Sequence, residues 1–347
     1  MGLASLTIGL TPGCPAGIGP EVWAQAIAQL APTLTSTTRL RFFASKALLL
    51  EGARRAGLQA EVDVQGSEVA VVIGGQRVEI AVADADDRCA HSQVRVVDDD
   101  ALAGQRDALL RACAAAVRGE IQAMVTGPVR KAALVVHGRH YPGQTELVHE
   151  FLHDDDGPPL MVFAGAAFLL GLFTVHVPLA AVPGLVQTAS LERAVRRLAE
   201  AARALLGVSR PRIAVLGVNP HAGEGGLFGD EEERVAQPLL ARLQNESGFD
   251  VDAVPRPADG FFADVARAAK GRSVGAPVHA VLAMHHDQGL GPYKLLCGGE
   301  GINITWGLRV PRTSPDHGTA DALAGTGKAD PSSTIAAVHT ALRLARS

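Results

Sequence analysis

At roughly 150 residues per domain, a chain of 347 residues has room for about two domains, and 47% hydrophobic against 20% charged residues excludes a disordered chain. Thirty-two Lys and Arg against thirty-six Asp and Glu leave a formal charge of −4, so no global positive field exists to hold nucleic acid. The four cysteines, Cys14, Cys89, Cys113 and Cys297, show no Cys-x-x-Cys spacing, which excludes a zinc knuckle, and are too sparse for a disulfide framework.

The start, Met1-Gly2-Leu3-Ala4, lacks the charged region of a signal peptide, and a cytosolic protein is expected. Leu6 to Leu10 reads as a short apolar strand, and Pro20 to Leu30 as a helix opened by proline, whose missing N–H is harmless in a first turn. Leu40 to Phe43 is a strand, and Lys46 to Ala56 a helix with Ser45 as its N-cap. Short strands fill 60 to 82, followed by a long helix over Ala101 to Arg118 and the strand Ile121 to Val125. The Asp154-Asp155-Asp156-Gly157-Pro158-Pro159 segment reads as an exposed turn.

Leu160 to Val175 is an uncharged run of 16 residues, the nearest approach to a membrane span. A spanning helix needs about 20, and Gly165 and Gly171 interrupt this run, so two buried strands joined by a turn near Ala164 to Ala167 are predicted. Leu191, Ala194, Val195, Leu198, Ala202 and Leu205 then recur at helical spacing. Ile213 to Val218 and His279 to Ala283 are buried strands feeding polar loops, and Pro331 to Arg346 closes as a helix. Strands alternating with helices argue for an α/β fold with mostly parallel sheets, whose ligands gather at the carboxyl ends of the strands.

Four segments carry candidate chemistry. Thr11 to Glu21 is a glycine-punctuated turn from strand to helix, readable as an anion cradle or as a tight turn needing positive φ; it matches neither common nucleotide fingerprint. His176, His221 and His286 each follow an apolar strand; they read as hydrogen-bonded loop residues or, as three neutral imidazoles with an open position, as ligands of a catalytic divalent metal. His285 is a decoy beside His286, because neighbours on an extended segment face opposite ways. Lys294, Asn303 and Arg312, with Thr145 upstream, read singly as solvated surface groups and together as a basic and amide set suited to an anionic substrate. The Asp316 to Asp330 segment turns from a loop into a short helix that ends at Gly325; it reads as a helix cap followed by a surface turn, or as a place where small residues at Gly318 to Ala320 let the backbone approach a flat ligand.

Taken in order, TPGCPAGIGPE at 11 to 21, TGPV at 126 to 129, NPHAGEGG at 219 to 226, HDQG at 286 to 289, GINITWGL at 301 to 308, RTSPDHGTA at 312 to 320 and GKAD at 327 to 330 closely resemble the 4-hydroxythreonine-4-phosphate dehydrogenase family of pyridoxal phosphate biosynthesis. The resemblance implies an isocitrate/isopropylmalate dehydrogenase-like fold: two α/β domains with an interdomain cleft, in a homodimer with sites at the subunit interface. The expected division is 1–125 plus 303–347, with nucleotide-binding loops, and 126–302, with the metal ligands and the dimer interface.

By the same resemblance His176, His221 and His286 bind one divalent metal, with zinc expected first and cobalt, manganese or magnesium as alternatives. Gln144, Thr145, Lys294, Asn303 and Arg312 contact substrate, and His317, Gly318, Thr319, Ala320 and Asp321 bind the adenosine of NAD or NADP. The implied reaction is oxidation of 4-hydroxy-L-threonine 4-phosphate to a 3-oxo acid, which then loses carbon dioxide. Asp287 and Lys294 are the candidates for relaying the hydroxyl proton.

Three positions depart from the family pattern. Gln144 replaces the histidine usual before Thr145, Cys14 replaces an acid, and Ala322 stands where an acid often faces the ribose, with Asp321 beside it. These departures keep open a paralogue acting on a phosphorylated four-carbon sugar acid or a carboxylated cis-dihydrodiol. A reading from another class, a metal-dependent hydrolase or lyase without nicotinamide, has no use for the DHGTA loop.

Overall fold

The computed structural model describes residues 5–65, 68–80, 99–153, 157–165, 168–246, 248–272, 277–298 and 301–346. Met1 to Ala4, Cys89, the expected turn at Asp154 to Asp156, the ends of the predicted strand and turn at 81–82 and 166–167 lie outside the described residues. The chain divides into two compact units, Met1–Pro158 with Gly307–Ser347, and Pro159–Trp306.

In unit 1 the elements are β1 (Leu6–Thr11), α1 (Gly19–Leu30), β2 (Thr38–Phe42), α2 (Lys46–Arg55), β3 (Ala60–Gln65), β4 (Glu68–Ile73), β5 (Gln76–Ile80), α3 (Asp99–Val117), β6 (Ala123–Thr126), the small hairpin β7 (Val135–Val136) and β8 (Arg139–His140), and α4 (Gln144–Leu152). Unit 2 contains β9 (Leu160–Ala164), β10 (Leu169–Leu172), α5 (Val182–Leu185), α6 (Thr188–Leu206), β11 (Arg212–Val215), α7 (Gln237–Leu243), β12 (Asp250–Val251), α8 (Ala258–Ala269), β13 (Ala280–Ala283), α9 (His286–Cys297) and β14 (Ile302–Trp306). The chain returns to unit 1 with β15 (Arg312–Pro315) and α10 (Ser332–Leu344).

The sheet of unit 1 runs β15-β6-β1-β2-β5-β4-β3, parallel from β15 to β5 and antiparallel beyond. That of unit 2 runs β12-β11-β13-β10-β9-β14, parallel from β12 to β10 and antiparallel through β9 and β14. The α/β class with mostly parallel strands is therefore borne out. Residues 126–158 lie in unit 1 and 303–306 in unit 2, bounds that differ from the sequence division. The reason is packing: Leu134, Val136, Tyr141, Leu147, Val148 and Leu152 share one buried cluster with Leu109, Ala112 and Cys113 of α3.

The apolar run at 160 to 175 is β9 and β10 paired antiparallel, Leu172 opposite Met161 and Leu169 opposite Ala164. No helix among the described residues is long and apolar enough to cross a membrane. Ser45 caps α2 as expected, its hydroxyl accepting from the Leu48 N–H at 3.2 Å.

Candidate active site

The carboxyl ends of three adjacent parallel strands of unit 2 lead to the three histidines. β11, β13 and β10 lie side by side, and His221, His286 and His176 follow them in that order. Phe173 N–H donates to the Ala283 carbonyl at 2.8 Å and the Thr174 hydroxyl to that of Met284 at 2.7 Å, tying the loop of His176 to the strand that feeds His286. The rings of His176 and His286 are brought to 6.2 Å between centroids.

Gln288 binds the third loop to this pair. Its Oε1 accepts from Met284 N–H and its Nε2 donates to the Gly217 carbonyl, both at 2.7 Å. His285 is the N-cap of α9 and accepts from the Gln288 N–H at 3.3 Å, which uses a ring nitrogen. Burial lowers the His285 pKa, keeping the ring neutral. Asp287 Oδ1 lies 2.7 Å from His286 Nδ1; a proton held on that nitrogen leaves the Nε2 lone pair to face a metal ion.

His221 sits in a loop of unusual backbone. From His221 to Gly226 every residue has positive φ, including His221 (51°), Ala222 (53°) and Glu224 (44°). A side-chain-bearing residue in that region costs roughly 1–2 kcal/mol, and such conformations persist where surrounding structure enforces them, commonly at functional sites. His221 faces Asp259, Nδ1 to Oδ2 3.9 Å, on a cavity of about 600 Å³ lined also by Leu179, Val182, Pro183 and His285. Among the described residues no three His, Cys, Asp or Glu side chains are grouped to enclose a metal ion. The structure thus gathers His176 with His286 and places His221 on a neighbouring loop. By donor chemistry the three imidazoles fit a divalent cation.

Lys294, on α9, is exposed, and Asn303 is half-buried on β14 with its Oδ1 buried and lacking a hydrogen-bond partner.

In unit 1 the structure brings Arg312 and Thr145 together. Arg312, on β15, is only 2% exposed. Its Nε and Nη2 donate to the Thr126 hydroxyl at 3.1 and 2.6 Å, and Nη1 to that of Thr145 at 3.5 Å. Burial lowers its pKa to about 10, so it remains a cation at neutral pH. The nearby Cys113 thiol is pushed up to about 12 by burial and supplies no counter-charge there. Gln144 opens α4 and donates from Nε2 to the Gly127 carbonyl at 3.1 Å, while its buried Oε1 has no hydrogen-bond partner. For Thr126 of TGPV the sequence offers a single signal, its place directly before Gly127.

In the glycine-rich turn three N–H groups donate to carbonyls of unit 1: Cys14 to that of Pro128, Gly17 to that of Cys14, and Ile18 to that of Thr319. A Cβ on Gly17 would lie 2.6 Å from the Thr319 carbonyl oxygen, so glycine is what lets the turn meet the 317 to 321 loop. Glu21, buried in α1, accepts the Gly325 N–H at 2.6 Å, and burial raises its pKa. In the DHGTA segment His317 Nδ1 lies 3.0 Å from the Gly318 carbonyl, Ala320 is left-handed, and the space beside Gly318 is open. Asp321 is ion-paired with Arg130, so the acid next to Ala322 already has a cationic partner.

The comparisons with known proteins agree with these motifs. A 4-hydroxythreonine-4-phosphate dehydrogenase of Trichlorobacter lovleyi is 38% identical over 97% of both chains. The crystal structure of the enzyme of that name from Klebsiella pneumoniae matches with a TM-score of 0.75 at 30% identity over 100% of both chains. A terephthalate 1,2-cis-dihydrodiol dehydrogenase of Burkholderia xenovorans is similar too, at TM-score 0.56 and 26% identity, covering 97% of this chain and 98% of that one. The family model described as pyridoxal phosphate biosynthetic protein PdxA matches residues 36–341. The chain belongs to that family.

Proposed function

We propose that this chain is a nicotinamide-dependent, metal-assisted dehydrogenase that oxidises 4-hydroxy-L-threonine 4-phosphate to its 3-oxo acid. The observation that carries the reading is the buried Arg312 guanidinium, set among the hydroxyls of Thr126 and Thr145; Arg312 and Thr145 are the two of these that the resemblance implies contact substrate. A desolvated cation with hydroxyl neighbours is suited to a phosphate. When bound, the nicotinamide accepts hydride and the divalent cation lowers the pKa of the substrate hydroxyl.

The chain's own groups do the rest. Arg312, Thr145 and Gln144 orient the anionic end, with Lys294 and Asn303 as further contacts. His176, His221 and His286 hold the cation, Asp287 fixes the tautomer of His286, and Asp287 or Lys294 takes the hydroxyl proton. The loop from His317 to Asp321 receives adenosine of NAD or NADP. The product is a β-keto acid, which loses carbon dioxide readily.

The same reading makes the protein a cytoplasmic homodimer with sites at the subunit interface. Val177, Leu179 and Leu185 after the His176 loop, and Leu227 and Phe228 after the His221 loop, are large apolar side chains left exposed. Ligands drawn from two copies also fit three histidines that one chain does not group.

Gln144 and the similarity to a dihydrodiol dehydrogenase favour a second reading, oxidation of a carboxylated cis-dihydrodiol, since an amide cannot carry the charge or proton of histidine. A panel of phosphorylated and carboxylated hydroxy acids, followed by absorbance of the reduced nicotinamide, separates the two. Turnover of only the dihydrodiols would refute the phosphate reading.

A further inference from the structure

The left-handed run from His221 to Gly226 needs an outside support, and the structure supplies one carboxylate. Glu232 is 1% exposed. Its Oε1 accepts the Asn219 N–H and its Oε2 the Asn219 side-chain amide, both at 2.8 Å. The same two oxygens stand against the chain on either side of the histidine. A Cβ on Gly217 would come within 3.1 Å of Oε1, and one on Gly223 within 2.9 Å of Oε2. One buried group therefore holds Asn219, two residues before His221, by hydrogen bonds and occupies the space beside Gly223, two residues after it.

The neighbouring features serve the same grip. Glu231 accepts a second hydrogen bond from the Asn219 amide at 2.7 Å. Gly229, at φ 145°, leaves room for that amide, which a Cβ would meet at 2.4 Å. Glu232 begins a short π-helical stretch, Glu232–Ala236, a geometry that recurs at functional sites. A carboxylate is well suited here because it offers two acceptor oxygens to one residue. A group serving only to fill space would be apolar, since burying a charge is unfavourable unless its partners require it.

We infer that Glu232 is a positioning residue that presents the His221 imidazole to a divalent cation by clamping Asn219. The inference rests on the proposed role of His221 as a metal ligand. With the clamp gone, the loop samples other conformations, and apparent affinity falls in proportion to the fraction that remains competent.

The test is titration of metal-free protein with Co²⁺, followed by visible absorption, with far-ultraviolet circular dichroism as a check on folding. Glu232→Ala should weaken Co²⁺ binding by about tenfold or more and alter the absorption band. Glu232→Gln keeps one acceptor oxygen and should bind more tightly than Glu232→Ala but about threefold more weakly than wild type. A folded Glu232→Ala variant with wild-type affinity and spectrum overturns the inference. If that variant does not fold, Glu232→Gln decides: weaker binding supports the clamp, and binding equal to wild type overturns it. Wild-type protein that takes up no Co²⁺, or a His221→Ala variant that takes it up unchanged, overturns the metal reading itself and the inference with it.

Discussion

Arg312 donates from both Nε and Nη2 to the single hydroxyl of Thr126, so one edge of its guanidinium is held by a residue on the neighbouring strand. This bond fixes the direction in which a fully buried cation points. Threonine at 126 therefore acts through Arg312.

Thr126→Val tests that dependence. Valine matches the shape but removes the acceptor, leaving buried donors without it, at about 1–3 kcal/mol. Denaturant unfolding should show a loss of that size, and kcat/KM on the phosphorylated substrate should fall with it. Unchanged stability would mean that the bond contributes nothing to holding the guanidinium.

Glu21 gives a pH signature. Burial raises its folded-state pKa above the ordinary 4.5, so the native state binds the proton more tightly than the unfolded chain. Stability from this group is full below the ordinary value and declines as pH rises through the folded one. Glu21→Gln has no such proton to lose. Wild type should lose stability relative to the variant as pH climbs above about 4.5, measured by denaturant midpoints. Parallel pH profiles would contradict the shift.

Gln288 holds the loops of the histidines together through Met284 and Gly217. Gln288→Leu leaves a buried N–H and a buried carbonyl unpaired, so stability should drop by about 1–3 kcal/mol or more. Divalent-metal affinity, measured by calorimetry, should fall as well. A loss of stability with metal affinity intact would separate the bridge from the proposed metal site.

Much of this was legible in the sequence where local chemistry dictates local structure. Ser45 marks the start of α2, and a run too short for a membrane folds as a strand pair, with Gly165 just past the end of β9 and Gly171 inside β10. The strand-end position of the three histidines follows from short apolar runs feeding polar loops, because parallel strands share an edge. Helix α9 was not legible. Gly289, Gly291 and Pro292 lie inside it, and all three oppose a helix by propensity. Packing decides otherwise: a Cβ on Gly289 would lie 2.7 Å from Leu170 and 2.8 Å from Ala283, so glycine is required where the helix meets the sheet. The clamps of Gln288 and Glu232 were equally hidden, since each joins residues distant in sequence and neither side chain belongs to a recognisable pattern.

The most direct measurement compares kcat/KM for 4-hydroxy-L-threonine 4-phosphate and its dephosphorylated analogue in wild type and in Arg312→Lys, by appearance of reduced nicotinamide. Lysine offers a point charge in place of a planar fork. Removing a charge-assisted hydrogen bond is worth about 1.5–3 kcal/mol, roughly ten- to more than a hundredfold. The loss should fall on the phosphorylated substrate, with affinity for the nicotinamide cofactor little changed. Equal losses on both compounds would show that Arg312 does not read the phosphate.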